Sequence, residues 1–429
     1  MSASAKPQSS YRIEKRIGVA ALTRAVMQNL DLSPVIAELE TAANNGPARG
    51  AALMDLSTIE QLRGNLERGL QYQSLALQQC QIYETYSDND PNLDLLVLAA
   101  PIHMGGNTPI DFLVANSSVR QRTVFLSDEF ELPDQLPKHD VCFVAAPGDC
   151  DENRKHLDYI NDCLVDLDRP VLNAPERIMQ LERDELVKTT EDVPGLCLPE
   201  TFRVPRSDLV EHGETGTWSL APFAELGTPF IIRPVGSHAG RDLELLSSFE
   251  DITSYLARCS DEAFFISSFI DYRSDDKQFR KYRVIFVNGE PFPCHMAISE
   301  QWKIWYLNAD MHLSHEKRME ERDFMVNFDK GFRARHEQAL MDLPKRLGLE
   351  YFGIDCAESR DGKLVVFEAD NALIVHDMDP PDLFPYKRDQ MHRLFAAFTE
   401  MLNETGDGSP QQTDSGQNLF GTTMHTIPS

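Results

Sequence analysis

The sequence predicts a mixed α/β (α+β) protein in three parts. Residues 1–90 read as a helical N-terminal block, 91–172 as a small doubly wound α/β domain, and 173–402 as a larger α+β body, with 403–429 as a disordered tail. Three observations predict this. Apolar residues recur every three or four positions up to Thr85, strand and helix patterns alternate from Leu93 to Asn173, and two apolar runs near the C-terminus flank an Asp-Gly turn.

Residues 1–10 are small and polar, a composition that suits disorder. From Ile17 to Glu40, and again from Ala51 to Thr85, the apolar spacing is helical: Leu53, Leu56, Ile59, Leu62 and Leu66 lead, and Leu70, Leu75, Leu77 and Ile82 continue the trend. Asn44-Asn45-Gly46-Pro47 breaks the two stretches. A single unit of this kind is too little for a repeat array, so the block reads as a helical appendage that packs on the body or forms a dimer contact.

Beyond Pro91 the pattern changes. Leu93–Ala100 is a continuous apolar run of the buried parallel type, followed by the loop Gly105-Gly106-Asn107-Thr108-Pro109 and a helix from Ile110. Strands at 122–126 and 141–145, a helix near 153–167 and a short strand at 170–173 complete the doubly wound unit. Ligands bind at the carboxyl ends of such strands, so Asn107 in that loop is a candidate substrate contact and Thr108 a candidate helix cap.

In the body, 262–270 reads as a strand, and 281–288 with 291–298 as a hairpin turned at Asn288-Gly289. Two apolar runs, at 347–355 and 364–371, flank the turn Asp361-Gly362; they deliver Asp355 and Glu368 from neighbouring strands about 4.8 Å apart. On one face, these carboxylates can share a divalent cation, and oxygen ligands suit Mg²⁺ completed by substrate phosphates. Upstream, Phe230-Ile-Ile-Arg233 is an apolar strand ending in a cation, followed by the small-residue loop 236–240. Such loops let backbone N–H groups approach phosphate. A helix over 391–402 closes the body.

Composition sets further bounds. A formal charge of −27, from 68 acidic against 41 basic residues, repels nucleic acid and anionic membranes, so neither is expected as a partner. An anionic nucleotide then requires local cations such as Arg233, Lys281 and Arg283. Eight cysteines without C-x-x-C spacing fit reduced thiols rather than disulfides or zinc. No leader opens the chain and no apolar run approaches the roughly 18 residues needed to span a bilayer, so a cytoplasmic location is expected.

Taken in order, Asn173, Arg233, the loop 236–240, Ile266–Ile270, the pair Arg283-Val284, Asp355 and Glu368 resemble an ATP-grasp domain, of the RimK-type and glutathione-synthetase-like carboxylate–amine ligases. The resemblance covers roughly residues 95–390. It implies an ATP site between two α+β subdomains. By position, Arg233 with Gly236, Ser237, His238 and Gly240 would contact phosphates, Ser268, Phe269 and Ile270 would form the adenine hinge, and Lys281 would assist. Asp355 and Glu368, with Asp370 or Asn371, would hold Mg²⁺. Arg233 and Arg283 would be the catalytic cations. Where such ligases line the substrate site, this chain has His295 and Lys303, with Trp305 and Tyr306 as stacking surfaces.

Two departures stand out. The family usually carries Lys at the position of Arg233, and arginine can hold phosphate in its place. It carries another Lys near Glu185, which cannot substitute for a cation, so Lys188, Lys277 or Lys281 must compensate. In the usual Glu-x-Asn metal motif, here Glu368-Ala-Asp370-Asn371, Asp370 takes the Asn slot as a charged oxygen donor. Elsewhere, the sign-alternating run Glu316–Arg322 reads as a solvated helix face.

The resemblance implies an ATP- and Mg-dependent ligase joining a small-molecule or peptide carboxylate to an amine through an acylphosphate, with a homo-oligomer compatible with the family. Two alternatives stand beside it: an ATP-grasp nucleotide-binding module that joins a partner through its helical block, and a phosphotransferase acting on a small molecule.

Overall fold

The computed structural model describes residues 12–86, 90–130, 136–164, 167–221, 226–238 and 240–406; the expected disorder of 1–10 and of 407–429 lies outside them, while 403–406, expected in the tail, are the last turn of a helix. The mixed α/β class read from the sequence is observed, as three sheets.

The first sheet has the order β1-β2-β4-β3-β5-β6. Its strands are β1 (Ile13–Arg16), β2 (Ile82–Thr85), β3 (Leu93–Ala99), β4 (Val119–Phe125), β5 (Val141–Val144) and β6 (Val171–Leu172). Four helices connect β1 to β2: α1 (Val19–Met27), α2 (Ser33–Asn45), α3 (Arg49–Leu62) and α4 (Leu66–Leu77). The helical spacing up to Leu77 is therefore correct, but Ile82–Thr85 is a strand, parallel to β1 and antiparallel to β4. Through β1 and β2 the helical block is built into the sheet. Its third helix is buried on nearly all sides, and alternation at a single strand of four residues is too short to compete with the helical trend before it. The helix after β3, α5 (Ile110–Leu113), is one turn; α6 (Asp151–Leu164) crosses from β5 to β6.

The chain then runs through α7 (Pro175–Ile178), α8 (Arg183–Thr190) and β7 (Leu196–Cys197). Next comes an antiparallel sheet of order β10-β9-β11-β8: β8 (Thr201–Pro205), β9 (Phe230–Pro234), β10 (Glu244–Leu246) and β11 (Ala263–Ser268). On one face Phe230, Ile232, Phe264 and Ile266 pack with Leu209 of α9 (Arg206–Thr215) and with Ile252 and Tyr255 of α10 (Asp251–Leu256). Strand alternation sends Arg233, Phe265 and Arg203 to the other face, where they stand side by side in register.

The third sheet, β13-β12-β14-β15-β7, contains β12 (Phe279–Val287), β13 (Glu290–Ser299), β14 (Tyr351–Glu358) and β15 (Leu364–Asp370). Both expected hairpins are present, turned by Asn288 (φ 49°) and Gly289 (φ 82°) and by Asp361 with Gly362 (φ 81°). Its helices are α11 (His315–Val326), α12 (Phe332–Arg335), α13 (Glu337–Leu347) and α14 (Lys387–Gly406). The run Glu316–Arg322 is not wholly solvated. Glu321 is 0% exposed, accepting from the Met296 amide (3.1 Å) and Tyr386 hydroxyl (2.6 Å) and pairing with Lys387 (3.2 Å). A buried acid needs such partners, and they come from distant parts of the chain.

One core joins the first and third sheets. Phe143 of β5, Tyr351 of β14 and Phe398 of α14 form a ring cluster, with centroids 6.3, 5.7 and 5.3 Å apart. At the end of β6, buried Asn173 (φ 54°) bonds both backbone groups of Tyr351, at 2.6 and 2.9 Å. All eight cysteines are free thiols. No helix among the described residues is long and apolar enough to cross a membrane.

Candidate active site

Register assembles the site. His295 of β13 lies opposite Arg283 of β12, Arg283 opposite Asp355 of β14, and Asp355 opposite Glu368 of β15, a row across four strands. Directly opposite residues share a face. Lys281 and Asp370 lie two positions along from Arg283 and Glu368 and return to that face.

Asp355 is buried and ion-paired twice, with Lys281 at 2.7 Å and with the Arg283 guanidinium at 2.8 and 3.1 Å. Burial alone would raise its pKa, but Arg283 and Lys281 hold it well below the ordinary carboxylate range. Glu368 is held differently, by a short bond from Arg183 at the start of α8. Asp370 accepts from the Ala372 amide at 2.7 Å. Burial first, then the charges of Glu368 and Asp149, push its carboxyl up to about 6.

The opposing wall comes from the antiparallel sheet. Arg233 is buried beside Arg183, and burial and that neighbour lower its guanidinium to about 9. It donates to the Ser237 hydroxyl at 3.1 Å and to the Ser237 carbonyl, tying the strand end to the loop after it. Gly236 (φ 67°) and Gly240 (φ 72°) turn this loop, and a Cβ on Gly236 would lie 3.0 Å from Cys150. His238 is latched to Asp149 by a short bond that raises the imidazole pKa. Ala239 lies outside the described residues. Arg203 stacks over Phe265 at 5.0 Å and pairs with Glu182 (3.1 Å) and Asp184 (3.2 Å). Glu182, the residue before Arg183, is driven by burial up to about 7.

The remaining expected residues fall in several places. Ser268 ends β11, the Phe269 ring meets Trp302 edge-on at 5.9 Å, and Ile270 packs on the main core, so the proposed hinge leads from one sheet to the other. His295 is half-buried against Tyr306 (4.8 Å), and its Nδ1 is buried with no hydrogen-bond partner among the described residues. Burial and Arg283 lower its pKa well below 6.5. Lys303 is exposed and reaches the Leu243 carbonyl at 3.0 Å; a Cβ on Gly240 would meet its side chain at 2.9 Å. Trp305 is 41% exposed.

Several side chains are occupied elsewhere. The Asn107 amide closes on both backbone groups of Ala100 at 2.9 Å, and so braces the end of β3. Thr108 caps no helix: its hydroxyl donates to the Asn371 carbonyl at 2.9 Å. The Asn371 amide donates to the Ala146 carbonyl (3.1 Å) and the Thr108 hydroxyl (3.2 Å), which joins the end of β15 to the first sheet.

Nor do the compensating lysines serve as expected. Lys188 pairs with Glu185 on the surface, Lys277 sits in a turn at φ 66°, and Lys281 is committed to Asp355. The cation beside Glu368 is Arg183, two residues before Glu185 and outside the set expected from the sequence. Its one local signal is a position in the first turn of an acidic-rich helix, where a cation is unfavourable against the helix dipole unless an anion holds it.

No family model matches the chain, and no curated protein matches it. Solved structures do. The chain is similar to a RimK domain ATP-grasp protein from Sphaerobacter thermophilus, at 15% identity over 72% of this chain and 99% of that one, with a TM-score of 0.43. It is similar to a D-alanine–D-alanine ligase from Bacillus anthracis complexed with ATP, at 13% identity over 73% and 96%, TM-score 0.44. A third is the ATP-grasp ligase PsnB complexed with precursor peptide PsnA2 and AMPPNP, at 13% identity over 74% and 100%, TM-score 0.38.

Proposed function

We propose that the chain is an ATP- and Mg-dependent ligase that joins a carboxylate to an amine through an acylphosphate. One observation carries this reading: Asp355 and Glu368 stand directly opposite on adjacent strands, with Asp370 on the same face, and cations from three further elements, Arg183, Arg233 and Arg283, converge on them.

The donor set fits a hard divalent cation. Asp370 lies near the acids Glu368 and Asp149, and its pKa is raised by burial first and by those two charges second, a cost that added positive charge would relieve. Glu368 and Asp370 would hold the ion, with Asp355 beside them, and it would supply positive charge to phosphoryl oxygens. Arg233 and the 236–240 loop would hold the phosphate chain. In the first step a substrate carboxylate oxygen bonds to the γ-phosphorus as the bond to the β-phosphate oxygen breaks and ADP leaves. An amine nitrogen then attacks the acyl carbon, inorganic phosphate departs, and the amine loses a proton to solvent. Arg283 and Arg183 would stabilise the transferred charge.

ADP release that requires both an acid and an amine supports this reading; no ADP across a broad panel, with Mg-ATP bound, overturns it. A second reading is favoured by one feature. Asp355 and Glu368 are each neutralised by the chain's own cations, the state expected of a nucleotide-binding module without turnover. Calorimetry showing tight Mg-ATP binding without ADP formation selects that module. Mass spectrometry of a phosphorylated product without an amide would select a phosphotransferase.

A further inference from the structure

Away from the cleft, the first sheet and α3 enclose a cavity of about 90 Å³ that runs along one face of β3 and β4, with Thr85 of β2 at its edge. One water needs only about 10–15 Å³, so there is room for roughly six water-sized atoms. We propose that this cavity is a binding site for a small primary amine carrying a short alkyl chain.

Strand alternation brings Gln121, Thr123 and Phe125 of β4 to its wall beside Val97 and Ala99 of β3. Gln121 is 5% exposed. Its amide nitrogen donates to Asp111 at 2.6 Å and to Thr123 at 3.1 Å, which fixes the orientation of the carboxamide. The carboxamide oxygen is buried and has no hydrogen-bond partner among the described residues. A buried acceptor in this state is unfavourable and awaits a donor. Asp111 stands beside it, with both oxygens accepting from neutral donors, the Val19 amide at 2.7 Å and the Gln121 amide.

Charge decides the class of donor. Arg16, also on the wall, is committed to Asp55 at 3.1 Å and to the Thr58 hydroxyl at 3.0 Å. Set against Asp55 and Asp111, it leaves one negative charge without a counter-ion next to the free acceptor. An ammonium satisfies both, as a donor to Gln121 and a cation to Asp111. Farther along the same two strands Val97 and Phe125, faced by Met54 of α3, form an apolar end of the cavity that suits a short hydrocarbon chain.

Titration calorimetry on the full chain without nucleotide tests this, with n-butylammonium chloride as the probe and n-butanol as the uncharged control. Saturable heat from the ammonium and none from the alcohol is the expected result. Gln121→Met, which keeps the length and removes the acceptor, weakens binding at least about tenfold. Ala99→Leu fills the cavity and abolishes it, and serves if the first variant does not fold. Mg-ATP affinity and circular dichroism report folding of either variant. Absence of heat from the wild type, equal binding by the wild type and both variants, or a crystal soaked in the amine with water alone in the cavity would each overturn the assignment. Because the titration contains no nucleotide, its outcome is independent of the ligase reading.

Discussion

Glu182 shows how much one buried group decides. Its carboxyl is raised to about 7 from an ordinary 4.5, mainly by burial. Below pH 4.5 it is protonated in both folded and unfolded chains. Between 4.5 and 7 only the folded chain keeps the proton, so stability falls as pH rises through that window and levels off above it. The difference amounts to about 3 kcal/mol. Thermal melts from pH 5 to 8 should show this slope, and Glu182→Gln should flatten it; an unchanged slope refutes the assignment. At the centre of the site, Glu368→Gln is expected to lower ADP formation at least about a hundredfold. Its fold should survive, since the carboxylate is partly exposed and replaced by an isostere. Steady-state kinetics with circular dichroism checks both parts.

At the scale of elements, the hairpins act as rulers. The turn at Asn288-Gly289 sets the register of β12 against β13 as far as Val284 and Pro293, and the bulge at Arg283/Val284 then moves Arg283 from Cys294 to His295. Gly289 at φ 82° has open space around its missing Cβ, so Gly289→Ala meets a backbone cost and no clash. That variant should lose about 1–2 kcal/mol in denaturant unfolding and keep its nucleotide affinity. Loss of nucleotide binding would mean that register, not local strain, had changed. Bulges at Arg283/Val284 and Asp355/Cys356 flank the same row and re-aim its side chains.

Across the whole molecule, the site exists only where the sheets meet. Asn371 bonds the Ala146 carbonyl and Thr108, and Arg24 of α1 pairs with Asp377 at 2.8 Å, so residues following β15 are anchored to the first sheet and its helices. Asn371→Ala removes a buried donor and leaves an acceptor unpaired, for an expected loss of about 1–3 kcal/mol and a lower melting temperature. Phe398→Ala opens the ring cluster shared with Phe143 and Tyr351 and should lose about 3–5 kcal/mol in denaturant unfolding. If the sheets unfold independently, that variant will instead give two separate transitions.

The hairpins, the helical spacing up to Leu77 and the delivery of Asp355 and Glu368 by adjacent strands were legible in the chain, because turn chemistry and side-chain period are local properties; that the two acids stand directly opposite depends on the bulge at Asp355/Cys356, without which Asp355 would face Phe367. Local reasoning missed β2, since four residues in a strand are defined by β1 and β4, one of them about seventy residues away in sequence. It likewise missed Arg183, buried Glu321, the brace that Asn107 gives the end of β3 and the link between the first and third sheets made by Thr108 and Asn371. Each owes its role to partners from other elements: Glu368 for Arg183, Lys387 and Tyr386 for Glu321, Ala146 for Asn371. Residue types and spacing by themselves determined which strands could present acids. Which cations neutralise those acids, and which amides brace the walls, was decided by tertiary packing, because burial and Coulomb interaction depend on distances that sequence separation does not encode.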